Sequence, residues 1–220
     1  MTKTLENTTI IPVKTDDISW DNFAALIRAA YETARHQLTV EIPTPPMTAD
    51  RTSDEWMTQY RAQQDADSRR TAELNKYEAR LIASIAEALE ASVPLFKELL
   101  VEYEGSGDSG EDCSISVEVE RGYEAAKKTS WGSPCFTDEQ KEEFRARQKA
   151  ATALLPSDLT EWLDGTCWGL AYSEFPGFEI DAGGYGTITV KRNDAGEMKV
   201  YLDHTARIES TEEYETEELN

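Results

Sequence analysis

Apolar side chains first recur at helical spacing in a segment that begins near Ser19. The stripe consists of Trp20, Phe23, Leu26, Ile27, Ala30 and Tyr31. Positions three and four residues apart share one face of a helix, so this spacing predicts an amphipathic helix. The helix should end before the proline-rich run 42–46, because proline removes a backbone donor and restricts the residue that precedes it.

A second and longer helix is predicted after the proline run. Thr52 and Glu55 have the spacing of a capping box, which marks a helix start. Almost every side chain in the stretch 61–75 is polar, which is typical of a helix that bridges solvent, frays or docks on a partner. Apolar periodicity returns over 77–89, where the helix should pack on the core, and Pro94 should end it.

The second half of the chain carries the strand patterns. The runs 100–103 and 115–119 lie on either side of a glycine-rich loop, and the second run alternates between apolar and polar residues. This pattern predicts an antiparallel pair with one face buried and the other exposed. A final hairpin is predicted from strands 186–191 and 198–203, with a turn at 193–196.

Two more helices are predicted between these strand pairs. Thr137 and Gln140 form a capping box for a helix that continues to about Leu155, and Pro156 with Ser157 opens a further short helix. We therefore expect an α+β fold, with about four antiparallel strands in the C-terminal half packed with helices, plus an N-terminal helical extension.

The same patterns divide the chain into four segments. They are a loose lead-in (1–15), an N-terminal helical extension (16–75), an α+β core domain (76–207) and an acidic tail (208–220). The tail contains six glutamates and no basic residue, so we expect it to be disordered.

Charge is the most extreme property of the composition. The 220 residues contain 43 Asp and Glu against 22 Lys and Arg, a formal net charge of −21. Nucleic acids and anionic membranes are bound through cationic side chains, so we expect neither as a direct ligand. Metal ions, basic peptides and the basic surfaces of other proteins remain as partners.

The cysteines and the hydropathy pattern favour the cytoplasm. Cys113, Cys135 and Cys167 are an odd number at wide spacings, which fits reduced thiols and neither a zinc site nor a disulfide framework. No run approaches the roughly eighteen apolar residues of a membrane span, and the first residues lack the pattern of a signal peptide. We expect a soluble cytoplasmic protein.

Acidic residues are concentrated in two stretches of the strand-bearing half. Residues 98–120 contain eight carboxylates and residues 150–190 contain six, and neither stretch contains Lys or Arg. One continuous negative face would imitate a phosphate backbone or dock on a basic groove; a solvated face that confers solubility is the alternative. The partner-binding residues would then be Glu102, Glu104, Asp108, Glu111, Asp112, Glu118 and Glu120, with Trp56 and Trp131 as exposed aromatic anchors.

A metal site at the strand ends is a second possibility. If the two strand pairs adjoin, the ends of the sheet would gather Asp108, Glu111, Asp181, Asp203 and His204. Carboxylates with an imidazole can bind Mg²⁺, Mn²⁺ or Ca²⁺ and activate water for hydrolysis. His204 also has a plainer interpretation, because a single histidine is more often a surface or edge residue than a ligand. If the acidic stretches serve binding alone, no cofactor is expected.

Three strings of residues carry a resemblance to other proteins. They are 103–110 (YEGSGDSG), 181–186 (DAGGYG) and 202–204 (LDH). With them, residues 76–207 resemble an uncharacterised family of small acidic bacterial proteins, often carried by plasmids, prophages and other mobile elements. The resemblance implies no activity for any residue. It implies a setting, that of an accessory protein in a bacterium or its phage.

Three functions remain open from the sequence. The first is a non-enzymatic acidic binding protein that occupies the basic, nucleic-acid-binding surface of a partner protein, as an inhibitor that mimics DNA would. The second is a divalent-metal-dependent hydrolase that uses the strand-end carboxylates and His204. The third is a structural or assembly component that docks through the polar helix 56–77. The charge, the lack of catalytic motifs and the resemblance favour the first.

Overall fold

A computed structural model describes residues 2–5, 19–51, 53–106, 109–110, 113–120, 136–177 and 183–207. Within these ranges the chain forms four helices and an antiparallel sheet whose main strands come from the C-terminal half. The fold class is therefore α+β, as predicted. The predicted acidic tail and most of the lead-in lie outside the described residues.

The first helix, α1, spans Trp20–Glu41 and ends directly before Ile42 and the prolines, as predicted. Its buried side chains are Phe23, Ala24, Ile27 and Ala34. Leu26 belongs to the predicted apolar stripe but is 57% exposed, so the buried face of α1 is narrower than the predicted stripe. The buried face is narrower because α1 packs against other helices on one side only, through small alanines as well as large side chains.

The second helix, α2, spans Asp54–Ser92 and ends before Pro94. It begins one residue later than a Thr52 cap would place it, since the cap is Ser53, whose hydroxyl oxygen accepts the amide proton of Trp56 at 3.2 Å. Thr52 itself lies outside the described residues.

The loop before α2 folds back onto the polar half of that helix. The side-chain oxygen of Gln59 accepts the amide protons of Thr48 (2.8 Å) and Ala49 (3.1 Å), and Gln63 donates to the carbonyl oxygen of Pro45 at 2.7 Å. These contacts satisfy backbone groups of the loop and give the polar helix a neighbour along part of its length.

Six strands form the sheet among the described residues. They are β1 (Thr2–Leu5), β2 (Phe96–Ser106), β3 (Ser109–Gly110), β4 (Ser114–Val119), β5 (Gly184–Arg192) and β6 (Met198–Ala206). The order is β1-β6-β5-β2, with β3 and β4 on the far edge of β2, and every pairing is antiparallel. Both predicted strand pairs are confirmed, and they adjoin through β2 and β5. The edge strand β1, inside the predicted loose lead-in, was not foreseen.

The remaining helices are α3 (Asp138–Thr152) and α4 (Ser157–Glu174). The predicted capping box of Thr137 and Gln140 is present at the start of α3. Helix α3 runs along the outer edge of β4, where the hydroxyl oxygen of Thr152 accepts the amide proton of Val117 at 3.0 Å. That edge strand is thereby covered by a helix, which protects its backbone groups from pairing with another chain.

One face of the sheet forms the hydrophobic core with α2 and α4. Its inward side chains, each at most 1% exposed, are Leu99, Val101, Ile188, Val190, Val200 and Leu202. Full burial of such an aliphatic side chain contributes about 1.5–3 kcal/mol. Helix α1 packs on the outside of this assembly, against α2 and α4, and its Phe23 and Ile27 belong to the same core.

The predicted boundary between helical extension and core domain, at residues 75 and 76, falls inside α2, which is continuous there. The first half of this helix buries only Ala66, whereas the second half buries a nearly unbroken row from Glu78 to Leu89. In the described part of the chain, no helix combines the length and apolar character needed to cross a membrane.

Candidate partner-binding face and tyrosine–histidine cluster

The sheet has a second face, directed away from α2 and α4, which we call the open face. Side chains alternate between the two faces of a strand, so the neighbours of the core residues Leu99, Val101 and Tyr103 belong to it. Strand pairing aligns its residues in rows. They are Glu98, Leu100, Glu102 and Glu104 of β2, Ser114, Ser116 and Glu118 of β4, Tyr185, Thr187, Thr189 and Lys191 of β5, and Lys199, Tyr201, Asp203 and Thr205 of β6.

Carboxylates outnumber basic side chains on the open face, and some of these carboxylates are paired with a lysine or accept a hydrogen bond. Glu98 stands directly opposite Glu118, a like-charge pair that destabilises a sheet unless it is relieved. Glu98 is relieved by two lysines, Lys97 at 2.7 Å and Lys191 at 3.8 Å. Glu118 accepts a hydrogen bond from the amide of Gln148 on α3.

The middle of the open face is its most negative part. Glu102, Thr187 and Asp203 stand in one row across β2, β5 and β6. Glu102 is exposed, and among the described residues no ion pair is found for it. This row therefore places carboxylate charge within the open face.

Three of the predicted partner-binding residues, Glu102, Glu104 and Glu118, lie together on the open face. Glu120 is exposed just after β4, and its amide donates to the carbonyl oxygen of Leu95 at 2.7 Å. The other acidic residues of that prediction, Asp108, Glu111 and Asp112, lie outside the described residues, as does Trp131. Their roles stay predictions.

Trp56 is separate from the open face. It lies in the first turn of α2, where its ring stacks on Tyr60 with ring centres 5.1 Å apart and ring planes 9° apart. A role in partner binding would therefore require a second contact region on the helical side. Sequence reasoning missed Tyr185 and Tyr201 as open-face aromatics, because their place among the carboxylates depends on strand register.

The inner face ends in a polar cluster formed by Tyr103 and His204. Strand pairing places Tyr103 opposite Gly186, and Gly186 opposite His204. The hydroxyl oxygen of Tyr103 lies 3.1 Å from Nδ1 of His204, and the two ring planes differ by 9°. Phe175, directly after α4, stacks on the imidazole with ring centres 4.2 Å apart.

Glycine at positions 184 and 186 makes room for these rings. A Cβ at Gly186 would overlap the hydroxyl group of Tyr103, and one at Gly184 would lie 2.7 Å from Cε1 of His204. Packed interiors do not tolerate such approaches. The three strings that carry the family resemblance thus meet at one place, since they supply Tyr103, the two glycines and His204.

Burial governs the protonation of this cluster. It lowers the pKa of His204, which favours the neutral imidazole. Burial also raises the pKa of Tyr103, and electrostatic repulsion from Asp203 and, to a smaller extent, Cys113 adds to that effect. The cluster therefore holds one neutral imidazole in a fixed orientation against a protonated phenol, an arrangement that closes the end of the core with a satisfied polar contact.

The predicted metal ligands are only partly described, and the two described members diverge. Asp203 and His204 are consecutive in β6, so their side chains belong to opposite faces of the sheet. His204 shares the inner face with Leu202, whereas Asp203 belongs to the open face. Asp108, Glu111 and Asp181 lie outside the described residues. Among the residues with described positions, no group of three His, Cys, Asp or Glu side chains is placed to hold a metal ion.

A buried carboxylate was missed by sequence reasoning. Glu78 on α2 is 7% exposed and forms a side-chain hydrogen bond with Tyr31 of α1. Burial raises the pKa of Glu78 to about 7, and the hydrogen bond with Tyr31 acts in the opposite direction. A signal was present, because Glu78 stands at helical spacing from Ile82, Ile85 and Leu89 and so belongs to the apolar side of α2.

Comparison with known proteins assigns a family and no activity. No curated protein and no solved structure matches the chain. A family match covers residues 74–218, which include the second half of α2, the four main strands, α3 and α4, and leave α1 outside. The match thus contains both the open face and the tyrosine–histidine cluster. The chain belongs to the family of unknown function DUF6878.

Proposed function

We propose that this protein is a non-enzymatic acidic binding protein whose open face occupies a basic, nucleic-acid-binding surface of a partner protein. The observation that carries the proposal is the alignment of Glu102, Glu104, Glu118 and Asp203 on one sheet face, in register across β4, β2, β5 and β6. Such a face competes with a nucleic acid for the partner's cationic side chains.

The spacing of these carboxylates supports joint action on a partner. Glu102 on β2 and Asp203 on β6 are separated by one intervening strand, about 10 Å. A cation above Thr187 would lie between the two carboxylates, at roughly half that separation from each. This distance is shorter than the Debye length of about 8–10 Å at physiological salt, so both carboxylates attract the cation. The net charge of −21 adds long-range attraction that speeds encounter with a basic partner.

The setting that goes with this proposal is the bacterial cytoplasm, with the protein acting as an accessory or inhibitor encoded by a phage or another mobile element. The sequence resemblance supports the setting, and the charge pattern supports the inhibitory mode. Direct binding of nucleic acid or of a membrane forms no part of the proposal, because both would require cationic surface.

The test compares two triple variants that change the net charge equally. The first, Glu102→Gln/Glu104→Gln/Glu118→Gln, neutralises the open face. The control, Glu55→Gln/Glu73→Gln/Glu139→Gln, neutralises three exposed carboxylates on α2 and α3. Each immobilised protein captures partners from a host lysate at low and high salt, and the captured proteins are identified.

We expect the wild type and the control to retain the same nucleic-acid-binding protein at low salt and to release it at high salt. The open-face variant should lose it. The purified partner's binding to DNA or RNA should then be inhibited by the wild type and the control, but not by the open-face variant. A folded open-face variant that captures and inhibits as well as the control would refute the proposal.

A further inference from the structure

The open face already holds an arginine of its own at one end. The guanidinium carbon of Arg207 lies 5.4 Å from the ring centre of Tyr185, and the same guanidinium pairs with Glu104. An aromatic ring face and a carboxylate both attract a cation, so together they form a small binding site for a positively charged side chain.

Strand register fixes the two halves of this site. Glu104 on β2 stands directly opposite Tyr185 on β5, so the carboxylate and the ring are neighbours whether or not Arg207 is present. The backbone of Arg207 is anchored separately, since its amide donates to the carbonyl oxygen of Gly183 at 2.9 Å. The guanidinium can therefore leave the site by side-chain rotation, without a change in the sheet.

The same arrangement occurs with a lysine on another part of the open face. The Nζ atom of Lys191 lies 5.6 Å from the ring centre of Tyr201 and 3.8 Å from the carboxylate of Glu98. The side chain of Glu98 is only 12% exposed, whereas that of Glu104 is 50% exposed. Of these two sites, the one that holds Arg207 is therefore the more accessible to another molecule.

The contacts of Arg207 are weak enough to be exchanged. Its side chain is 35% exposed and Tyr185 is 46% exposed, and ion pairs and ring contacts at such exposure are screened by water and salt. A cation from a partner needs only modestly better contacts to take its place.

We propose that an arginine of the partner binds between Tyr185 and Glu104, and that Arg207 is a built-in competitor for this site. The inference rests on the proposed function and specifies it further. Arginine is favoured over lysine because its planar guanidinium stacks on a ring and donates two parallel hydrogen bonds to a carboxylate. Arg207 lowers the affinity for the partner. Because it must be displaced, only a partner with a correctly placed arginine binds well at this site.

The test uses labelled oligo-arginine and oligo-lysine peptides of equal length, with binding measured by fluorescence anisotropy over a range of salt. Arg207→Gln empties the site. Lys199→Gln, which removes one positive charge elsewhere on the open face, is the matched control. Tyr185→Leu removes the ring, and Tyr185→Phe keeps it. The variant Glu102→Gln/Glu118→Gln tests the acidic face without altering the arginine site.

We expect Arg207→Gln to bind oligo-arginine about threefold to tenfold more tightly than Lys199→Gln does, with a smaller gain for oligo-lysine. In the Arg207→Gln background, Tyr185→Leu should abolish the preference for arginine, and Tyr185→Phe should retain it. Equal gains from Arg207→Gln and Lys199→Gln, or equal binding of the two peptides by Arg207→Gln, would overturn the inference.

The same measurements separate this inference from the proposed function. If Glu102→Gln/Glu118→Gln binds both peptides as tightly as the wild type, and Arg207→Gln gains nothing over Lys199→Gln, the open face does not bind cations and both proposals fail. If that variant binds more weakly while Arg207→Gln behaves like Lys199→Gln, the acidic face stands and only the role of Arg207 is refuted.

Discussion

Tyr103 and His204 are joined by a contact of 3.1 Å between the phenol oxygen and Nδ1, although they are 101 positions apart in the chain. The contact passes over β5, where Gly186 lies between the two residues in the same row of the sheet. The cluster closes the inner face on the side opposite to the carboxylates, so the two faces of the sheet differ in their chemistry.

Gly186→Ala should destabilise the fold by about 1–3 kcal/mol, because the new Cβ would overlap the hydroxyl group of Tyr103 and the carbonyl oxygen of Asp203. Urea denaturation at neutral pH measures the change. Gly165→Ala is the matched control, since its Cβ would contact nothing within 4 Å and alanine favours a helix by up to about 1 kcal/mol. If Gly186→Ala is as stable as Gly165→Ala, the packing described for this cluster is wrong.

Glu78→Gln should stabilise the protein at pH 8 and remove a pH dependence. The folded pKa of Glu78 is raised to about 7 from an ordinary value of 4.5. Its contribution to stability is therefore fully present below pH 4.5 and is lost as the pH rises through 7. The expected gain at pH 8 is on the order of 2–3 kcal/mol by urea denaturation.

The control for Glu78 is Glu73→Gln, which neutralises a half-exposed carboxylate one turn earlier on α2. It should leave the pH dependence of unfolding as it is in the wild type. Parallel curves for Glu78→Gln and the wild type between pH 5 and pH 8 would show that Glu78 is ionised and solvated throughout.

His204 should make the free energy of unfolding depend on pH with the sign opposite to that of Glu78. Burial lowers its folded pKa below the ordinary value of 6.5, so the unfolded chain binds the proton more readily. Its contribution is present above pH 6.5 and is lost as the pH falls. In a Glu78→Gln background, stability should therefore decline from pH 7 toward pH 5, and a further His204→Gln change should flatten that decline. A decline that persists unchanged in the double variant would exclude His204 as its source.

Leu95→Gly should be more stable than Leu95→Ala by about 1 kcal/mol. Leu95 has a φ of 60° in the turn between α2 and β2, a left-handed conformation that costs any residue with a Cβ. Both variants remove the half-exposed side chain, so their difference isolates the backbone strain. Equal stabilities in urea denaturation would mean that the turn relaxes when the side chain is removed.

Local signals in the sequence determined most of the secondary structure. Three examples are the prolines after Glu41, the capping box at Thr137 and the alternation over 115–119. Each of these signals depends on residues close together in the sequence, so it predicts a helix end, a helix start or a strand without knowledge of tertiary contacts. The cap of α2 was placed one residue early because Thr52 and Ser53 both suit that position and only the backbone geometry separates them.

The alternation of side chains within a strand also argues against the predicted metal site. Asp203 and His204 are adjacent in a predicted strand, and adjacent strand residues point to opposite faces. Their divergence therefore followed from the sequence once β6 was assigned. The apolar side of α2 likewise contained Glu78 by spacing alone, but its burial depended on α1 docking above it.

The sequence by itself determined where the four helices and the four main strands lie, which side of each is largely apolar, and how negative the chain is. Only the tertiary structure shows which acidic residues of different strands share a face. It also shows that Tyr103, Gly186 and His204 form one row. The physical reason is that strand order and register arise from hydrogen bonds and packing between segments about a hundred residues apart. Alternation along β2 directs Glu102 and Glu104 away from the core, but which residues of β5 and β6 lie beside them depends on strand order and register, which no local pattern determines.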